Sequence, residues 1–508
     1  MGKVVMSEEK ITAIGELKAR IERSRERLRG EEYAVPKVFE FVRGWPGDWQ
    51  GRTLLALCEH YEASNRTDAR VLRQIDAIIY ALPENTNRYG YFGEEFDGVT
   101  ANEQQISGNS WFIRGLCDYF RITGCKDTLK RLNTIAEKFL IPLKPFYEKY
   151  PIIEREEGGV DGHIVGNKNA DGWLLSSDVG CAFIMLDGIT DLYDITGNEN
   201  VRDAIDVMIN RFLSFDVAAV KFQTHATLSA SRGIMRMFKL TNNNRYLAAA
   251  EKMFKIYARE GTTVNYANFN WFRKPLTWTE PCAFIDSLIL AVELYKATGN
   301  YFYAQFANRV YFNAFRTAQR RNGGAGCETC LGEQNNELKV SKYEAMFCCT
   351  MRMANGLNYL RANSFAKING INMALFTVGG EYESSDCKFV YEFDWLHSCI
   401  KVTVMRGETD LKLYMPKGVT VAGATNKNGF VEFRLERGEY IFKLEINLQK
   451  ENHNGREVYF YSDMLLTQKM YESAPDVRFS IGGRELSPID DCITIEEKFG
   501  IDNYIQKI

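Results

Sequence analysis

Along the first two-thirds of the chain, apolar residues recur at helical spacing, and each run closes on a similar short phrase. The phrase is an aromatic residue followed three positions later by Ser, Thr or Ala and then Gly or Asn. It occurs as YEASN from Tyr61, FRITG from Phe120, YDITG from Tyr193, FKLTN from Phe238, YKATG from Tyr295 and YLRAN from Tyr359. Each phrase ends an apolar helix such as CAFIDSLILAVELYKATG, whose final Gly or Asn takes the left-handed conformation that caps a helix C-terminus. After the first five phrases a second, amphipathic helix follows, for example NNRYLAAAEKMFKIYARE. The unit is therefore a helical hairpin. The sixth phrase has no such partner downstream, and a helix near 8–30 is placed to supply it and close a ring. Six hairpins of unequal length predict an (α/α)6 toroid rather than an open α-solenoid.

From about residue 366 the period changes from helical to two. KFVYEF, CIKVTVMRG, LKLYMP, FVEFRLERGEYIFKLEINL and EVYFYSDMLL alternate apolar and polar positions between Gly, Asn and Asp turns. The expected class is mainly α with a β-domain: an (α/α)6 barrel over residues 1–365, then an antiparallel β-sandwich over 366–508. A chain of 508 residues exceeds one ordinary core, which agrees with this division.

Composition narrows the functions. The net charge of −3 and the lack of a basic cluster give no field for nucleic acid or an anionic membrane surface. No apolar run is long enough to span a bilayer, and the charged N-terminus lacks the apolar core of a signal peptide, so a cytoplasmic protein is expected. In that compartment the 12 cysteines should be reduced, as buried small hydrophobes or metal ligands. The 26 Tyr, 32 Phe and 7 Trp suit a sugar-stacking cleft and a large helical core alike.

In a toroid, the residues that open the six inner helices converge at one mouth. Here those openings are GDWQGR, EQQISGN, LLSSDVG, FQTHAT, TWTEPCA and MFCCTMR. Asp178 and Thr279 read as N-caps. Capping does not account for Trp49 or His225, and Gln50, Gln105 and Asn109 open inner helices at the same mouth; these five are candidate substrate-binding residues. Nor does it account for Glu280 and Cys282 beside Cys348 and Cys349. Three thiolates and a carboxylate make a tetrahedral Zn2+ set, because soft sulfur selects zinc over magnesium or calcium. Either motif alone is weak, and small core cysteines are the alternative.

The segments TEPCAFIDSLILAVELYKATGN and FCCTMRMANGL, with a helical hairpin between them, resemble the E-T-C and C-C signature of glycoside hydrolase family 127, the β-L-arabinofuranosidase group. The resemblance implies an (α/α)6 barrel with β-sandwich domains, and a zinc held by Glu280, Cys282, Cys348 and Cys349. It implies Cys348 as nucleophile in a retaining hydrolysis, and His225 as a sugar contact. The chain departs from the family where Thr350-Met351-Arg352 replaces Pro-Pro-Asn after the cysteines, where Pro281 stands inside E-x-C, and where Asn109 takes a histidine's place. The family's acid/base glutamate has no clear counterpart. Glu260 and Glu328 are the candidates, the latter in GCETC, where Cys327 and Cys330 form a C-x-x-C that is a further source of metal ligands. The expected partner is a short carbohydrate, and a homodimer is allowed for. Two other readings remain at this stage: a metal-independent (α/α)6 sugar enzyme (unsaturated glucuronyl hydrolase or epimerase), and a glycan-binding protein with structural zinc.

Overall fold

The recurring phrase does what its chemistry predicts. Gly124, Gly197, Asn242 and Gly299 all adopt left-handed backbone conformations, and each donates its N–H to the carbonyl of the phrase's own aromatic residue, Phe120, Tyr193, Phe238 or Tyr295. After three of these caps the next residue, Asn198, Asn243 or Asn300, accepts a hydrogen bond from the first turn of the following helix. One helix is thus stopped and the next started within two residues. The computed structural model describes residues 9–40, 44–153, 155, 163–327, 337–340, 343–368, 370–453, 455–472, 477–501 and 504–508.

The first element among the described residues is the strand Lys10–Ala13, inside the stretch expected to be helical, and α1 (Gly15–Leu28) follows it. The hairpins follow as α2 (Asp48–Ala63) with α3 (Ala69–Asn85), α4 (Glu103–Thr123) with α5 (Lys126–Ile135), and α6 (Met185–Thr196) with α7 (Glu199–Leu213). Next come α8 (Thr224–Thr241) with α9 (Asn244–Glu260), then α10 (Pro281–Thr298) with α11 (Tyr301–Val310), and finally α12 (Cys349–Asn363). The even-numbered helices pack in sequence, α2 on α4, α4 on α6, and so on to α12, which packs back on α2; α1 lies against α12 as its outer partner. The ring is closed.

Position in the ring explains the composition of each helix. In α9 the buried residues are Tyr246, Ala249, Ala250, Met253, Phe254 and Tyr257, a single stripe at helical spacing. In α10 every residue from Pro281 to Val292 is buried, because an inner helix is covered on all sides. Two glycines let inner helices approach closely. A Cβ on Gly51 would lie 2.2 Å from the Phe112 nitrogen of α4, and one on Gly233 would lie 2.3 Å from the Leu186 carbonyl oxygen of α6.

The C-terminal region is built of largely antiparallel sheets. A six-stranded sheet and a four-stranded sheet share one buried core that includes Phe389, Ile400, Val402, Leu411, Leu413 and Val431. A further sheet over 449–508 has its own core around Leu338, Phe460, Leu465, Ile495 and Tyr504. Earlier segments reach into both regions. Lys10–Ala13 pairs with Gly380–Glu383, and Glu337–Val340 pairs with Tyr504–Lys507. The alternating segment KITA finds its partner in an open sheet edge more than 350 residues away, a pairing that local pattern does not encode. Among the described residues, no helix is long and apolar enough to cross a membrane.

Candidate metal and active site

Helix α10 opens on Glu280 at its N-cap with Pro281 in the first turn, where a missing N–H costs nothing. Helix α12 opens on Cys348 at its N-cap with Cys349 next. The two helices are neighbours and start at the same end of the ring, so their openings meet. The sulfurs of Cys282, Cys348 and Cys349 lie within 4.8 Å of one another, and a second group, His225, Glu280 and Cys282, meets the same limit. The Cys348 and Cys349 sulfurs are 3.3 Å apart. Cys327, which follows the turn at Ala325–Gly326, brings its sulfur to 3.3 Å from that of Cys349.

Charge is concentrated here. Burial opposes ionisation of Cys282, but hydrogen bonds from Cys348 and Cys349 and the Arg52 guanidinium outweigh it and hold this thiol well below its ordinary pKa. Arg52 Nη1 is 3.4 Å from the Cys282 sulfur and its Nε is 2.7 Å from Asp48. Hydrogen bonding to Cys282 pushes the Cys348 thiol up, and burial pushes Cys349 up. His225 Nδ1 lies 3.2 Å from Glu280 Oε1. Burial lowers the His225 pKa, but Glu280 more than restores it, and the net shift is upward. Burial likewise raises Glu280.

Behind this layer stands Asp286, one helical turn after Cys282. It accepts from Ser229 Oγ at 2.6 Å and from Arg232 Nη1 at 2.5 Å, and also pairs with Arg352. Burial opposes its charge, yet Arg352 and Arg232 hold its pKa below the usual range. The indole of Trp111 packs against the His225 ring at 5.8 Å and carries the Arg52 guanidinium 3.9 Å from its ring centroid. Asp286 is a charged residue in the otherwise apolar run of α10, the one sequence signal that marked it; Trp111 left no comparable mark.

The other predicted residues divide differently. The Asn109 carboxamide accepts from the Phe92 amide and donates to the carbonyls of Phe92 and Gln105. Gln105 donates to the carbonyls of Phe92 and Glu94, and Gln50 to that of Val38. Trp49 is buried and stacks on Tyr33 at 5.3 Å. The three amides hold loops to the ring, because buried backbone carbonyls need donors and the amides are the nearest source. Glu260 pairs with Arg259 at 2.5 Å and with Arg273 at 2.6 Å, and its hydrogen bonds to these arginines lower its pKa, opposite to the need of a general acid. Glu328 and Cys330 lie outside the described residues.

Asp178 is not the N-cap it was expected to be. The turn that follows starts at Gly180 with no side-chain cap, and Asp178 Oδ1 is buried without a hydrogen-bond partner. Burial, then the nearby carboxylates of Glu280 and Glu103, push its pKa up to about 8. Thr279 does not cap either: the N-cap of α10 is Glu280, with no side-chain cap bond.

The donor set fits a zinc ion. Buried thiols this close repel once ionised, and a soft divalent cation is the natural partner for them. His225 Nε2 is buried without a hydrogen bond and lies 3.8 Å from Asp286 Oδ2 in the layer behind.

The fold is a closed (α/α)6 ring with a thiol-rich centre where its inner helices open. Residues 184–361 match the family model described as the β-L-arabinofuranosidase GH127 catalytic domain. That stretch spans α6 to α12 and contains His225, Glu280, Cys282, Cys327, Cys348 and Cys349, so the resemblance read from the cysteine motifs holds there and the enzyme class is glycoside hydrolase. Among solved structures, a GH127 β-arabinofuranosidase superposes with TM-score 0.64 at 14% identity, covering 91% of this chain and 84% of that one. A GH127 β-L-arabinofuranosidase from Geobacillus stearothermophilus T6 gives 0.59 at 14%, covering 90% and 81%. A protein described as a glycoside hydrolase gives 0.61 at 11%, covering 90% and 82%. Comparison with curated protein sequences finds no match.

Proposed function

We propose that this protein is a retaining glycoside hydrolase of the β-L-arabinofuranosidase type, with Cys348 as its nucleophile. The observation that carries the reading is the convergence of Cys282, Cys348 and Cys349 beside the His225–Glu280 pair, where the inner helices open. Of the three cysteines, Cys282 and Cys349 are fully buried while Cys348 retains 8% exposure, which leaves it the one able to meet a substrate. These cysteines would hold zinc, and zinc when bound supplies the charge that keeps thiols deprotonated near neutral pH.

In the first step the Cys348 sulfur bonds to the anomeric carbon as the glycosidic C–O bond breaks, and the leaving oxygen takes a proton from a carboxylic acid. Asp178 is the carboxyl suited to donate it, being buried, unpartnered at Oδ1 and proton-bearing at neutral pH. In the second step the same carboxylate takes a proton from water as the water oxygen bonds to the anomeric carbon and the C–S bond breaks. Two displacements return the original configuration. His225 keeps Glu280 oriented beside the reacting centre.

The test is hydrolysis across a panel of aryl glycosides that includes a β-L-arabinofuranoside, with wild-type protein and Cys348→Ser. Turnover of the furanoside by wild type alone is expected. Full activity in C348S would remove the thiolate mechanism. Silence on every glycoside would favour a glycan-binding protein with structural zinc.

A further inference from the structure

We propose that a cleft between the ring and the six-stranded sheet is a second carbohydrate-binding site, which takes one neutral sugar unit away from the cysteine centre. Its cavity measures about 480 Å³, within the roughly 300–1,000 Å³ typical of small-molecule sites. None of the residues lining it belongs to the cysteine cluster. One wall is the start of α1 together with the end of α11, which runs on through a π-helical turn, Tyr311–Phe315. Such turns often sit at functional positions. The other wall is the segment Thr377–Gly379 and the hairpin tip that carries Phe393 and Trp395.

Three features of the cleft fit a sugar. The first is a fixed aromatic platform. Half-buried Trp395 packs on Phe393 with ring centroids 3.7 Å apart and meets Phe312 edge-on at 6.2 Å. Asp394 braces this hairpin tip, accepting from the His397 N–H and from Lys401 Nζ, each at 3.0 Å. A rigid indole offers a flat apolar face at little entropic cost, which suits the C–H face of a sugar ring. The second feature is a pair of hydroxyls with nothing to bind. Tyr311 and Thr377 both line the cavity, are 1% and 3% exposed, and hold their hydroxyls without a hydrogen-bond partner. A buried hydroxyl left unmet is costly, and sugar hydroxyls both donate and accept. The third is the polar rim. Glu16 accepts from Arg316 Nε at 2.7 Å, beside a first turn of α1 that has no side-chain cap and so keeps free N–H groups. In the lining Glu16, Glu392 and Asp394 are set against Arg316, a balance that disfavours an anion and leaves an uncharged, hydroxyl-rich ligand as the match.

Isothermal titration calorimetry of the full-length protein with arabino-, xylo- and cello-oligosaccharides tests the site, in a Cys348→Ser background that prevents turnover. At least one series should bind, and Trp395→Ala should weaken that binding by roughly tenfold or more. Thr377→Val and Tyr311→Phe remove the unmet hydroxyls with little change of shape. They should leave the midpoint of urea unfolding unchanged or raised, yet weaken sugar binding by about 2- to 10-fold. Sugar binding that survives all three substitutions, or no binding of any series, would overturn the site. So would self-association in sedimentation that W395A abolishes, because the cleft would then be an interface between copies of the chain. The hydrolase reading stands or falls separately, on turnover of a small aryl glycoside, which W395A in the wild-type background should leave at the wild-type rate.

Discussion

His225 Nδ1 lies 3.2 Å from Glu280 Oε1, linking the openings of two neighbouring inner helices. Each side chain is buried, and each makes the other's charge tolerable: Glu280 raises the His225 pKa against the effect of burial, and His225 offsets part of the desolvation of Glu280. Replacing His225 with Asn should lower kcat/KM by roughly 10- to 100-fold while zinc content stays at the wild-type level. Steady-state kinetics paired with elemental analysis checks this. Loss of zinc in proportion to activity would show that His225 serves the metal instead.

Cys348→Ser should abolish turnover, with a loss of at least about a thousandfold, because a serine hydroxyl at neutral pH is a far weaker nucleophile than a thiolate. Wild-type protein mixed with an activated furanoside should gain the mass of one glycosyl unit in intact-protein mass spectrometry. The variant should gain none.

Asp178 carries its proton up to about pH 8. If it protonates the leaving group, kcat/KM should fall as pH rises through that value, and Asp178→Asn should lose this limb together with most of its activity. Stability has a matching sign. The folded protein retains a proton that the unfolded chain releases above the ordinary aspartate range, so this group makes stability fall as pH rises from about 4 to about 8. Thermal unfolding of D178N should therefore depend less steeply on pH across that window.

Asp286→Ala should destabilise the fold by about 3–5 kcal/mol, because Arg232 and Arg352 would be left as buried cations without their shared carboxylate. Urea unfolding measures this. Asp286→Leu should be no better, since the arginines, not the volume, set the cost.

Two glycines test the ring. Gly299→Ala meets open space and suffers only from its left-handed backbone (φ +67), a cost of about 1 kcal/mol. Gly51→Ala is helical but would drive a Cβ into the backbone of α4, and should cost about 1–3 kcal/mol or more through forced separation of the inner helices. If the two variants unfold at the same denaturant concentration, the close approach of α2 and α4 is wrong.

Reading the chain succeeded where the determinants are local. The phrase YKATGN stops one helix and starts the next through bonds that span only a few residues, so it is legible wherever it recurs. The same holds for the change from helical to alternating periodicity near residue 366. The cysteine and carboxylate openings of α10 and α12 were legible for a related reason: once hairpins are counted, helix starts of equal rank lie at the same end of a closed ring. The framework bonds of Gln50, Gln105 and Asn109 are not legible in sequence, because the same ring end also holds loops whose buried carbonyls require donors, and a polar residue at a helix start serves either need. The strand Lys10–Ala13 was missed because its partner is another sheet's edge.

By itself, then, the sequence determined the repeating hairpin, the count that closes the ring, the shift to sheets, and the motif pair that supplies Glu280, Cys282, Cys348 and Cys349. All of these follow from backbone propensity, capping and periodicity, which act over a few residues. Only the tertiary structure decided which polar side chains face the cluster and which face the framework, that Asp178 is left without a partner at Oδ1, and that Cys327 comes within contact of Cys349. Those outcomes depend on side-chain directions and burial set by elements far apart in the chain, and burial is also what turns an ordinary aspartate or thiol into a group with altered proton affinity.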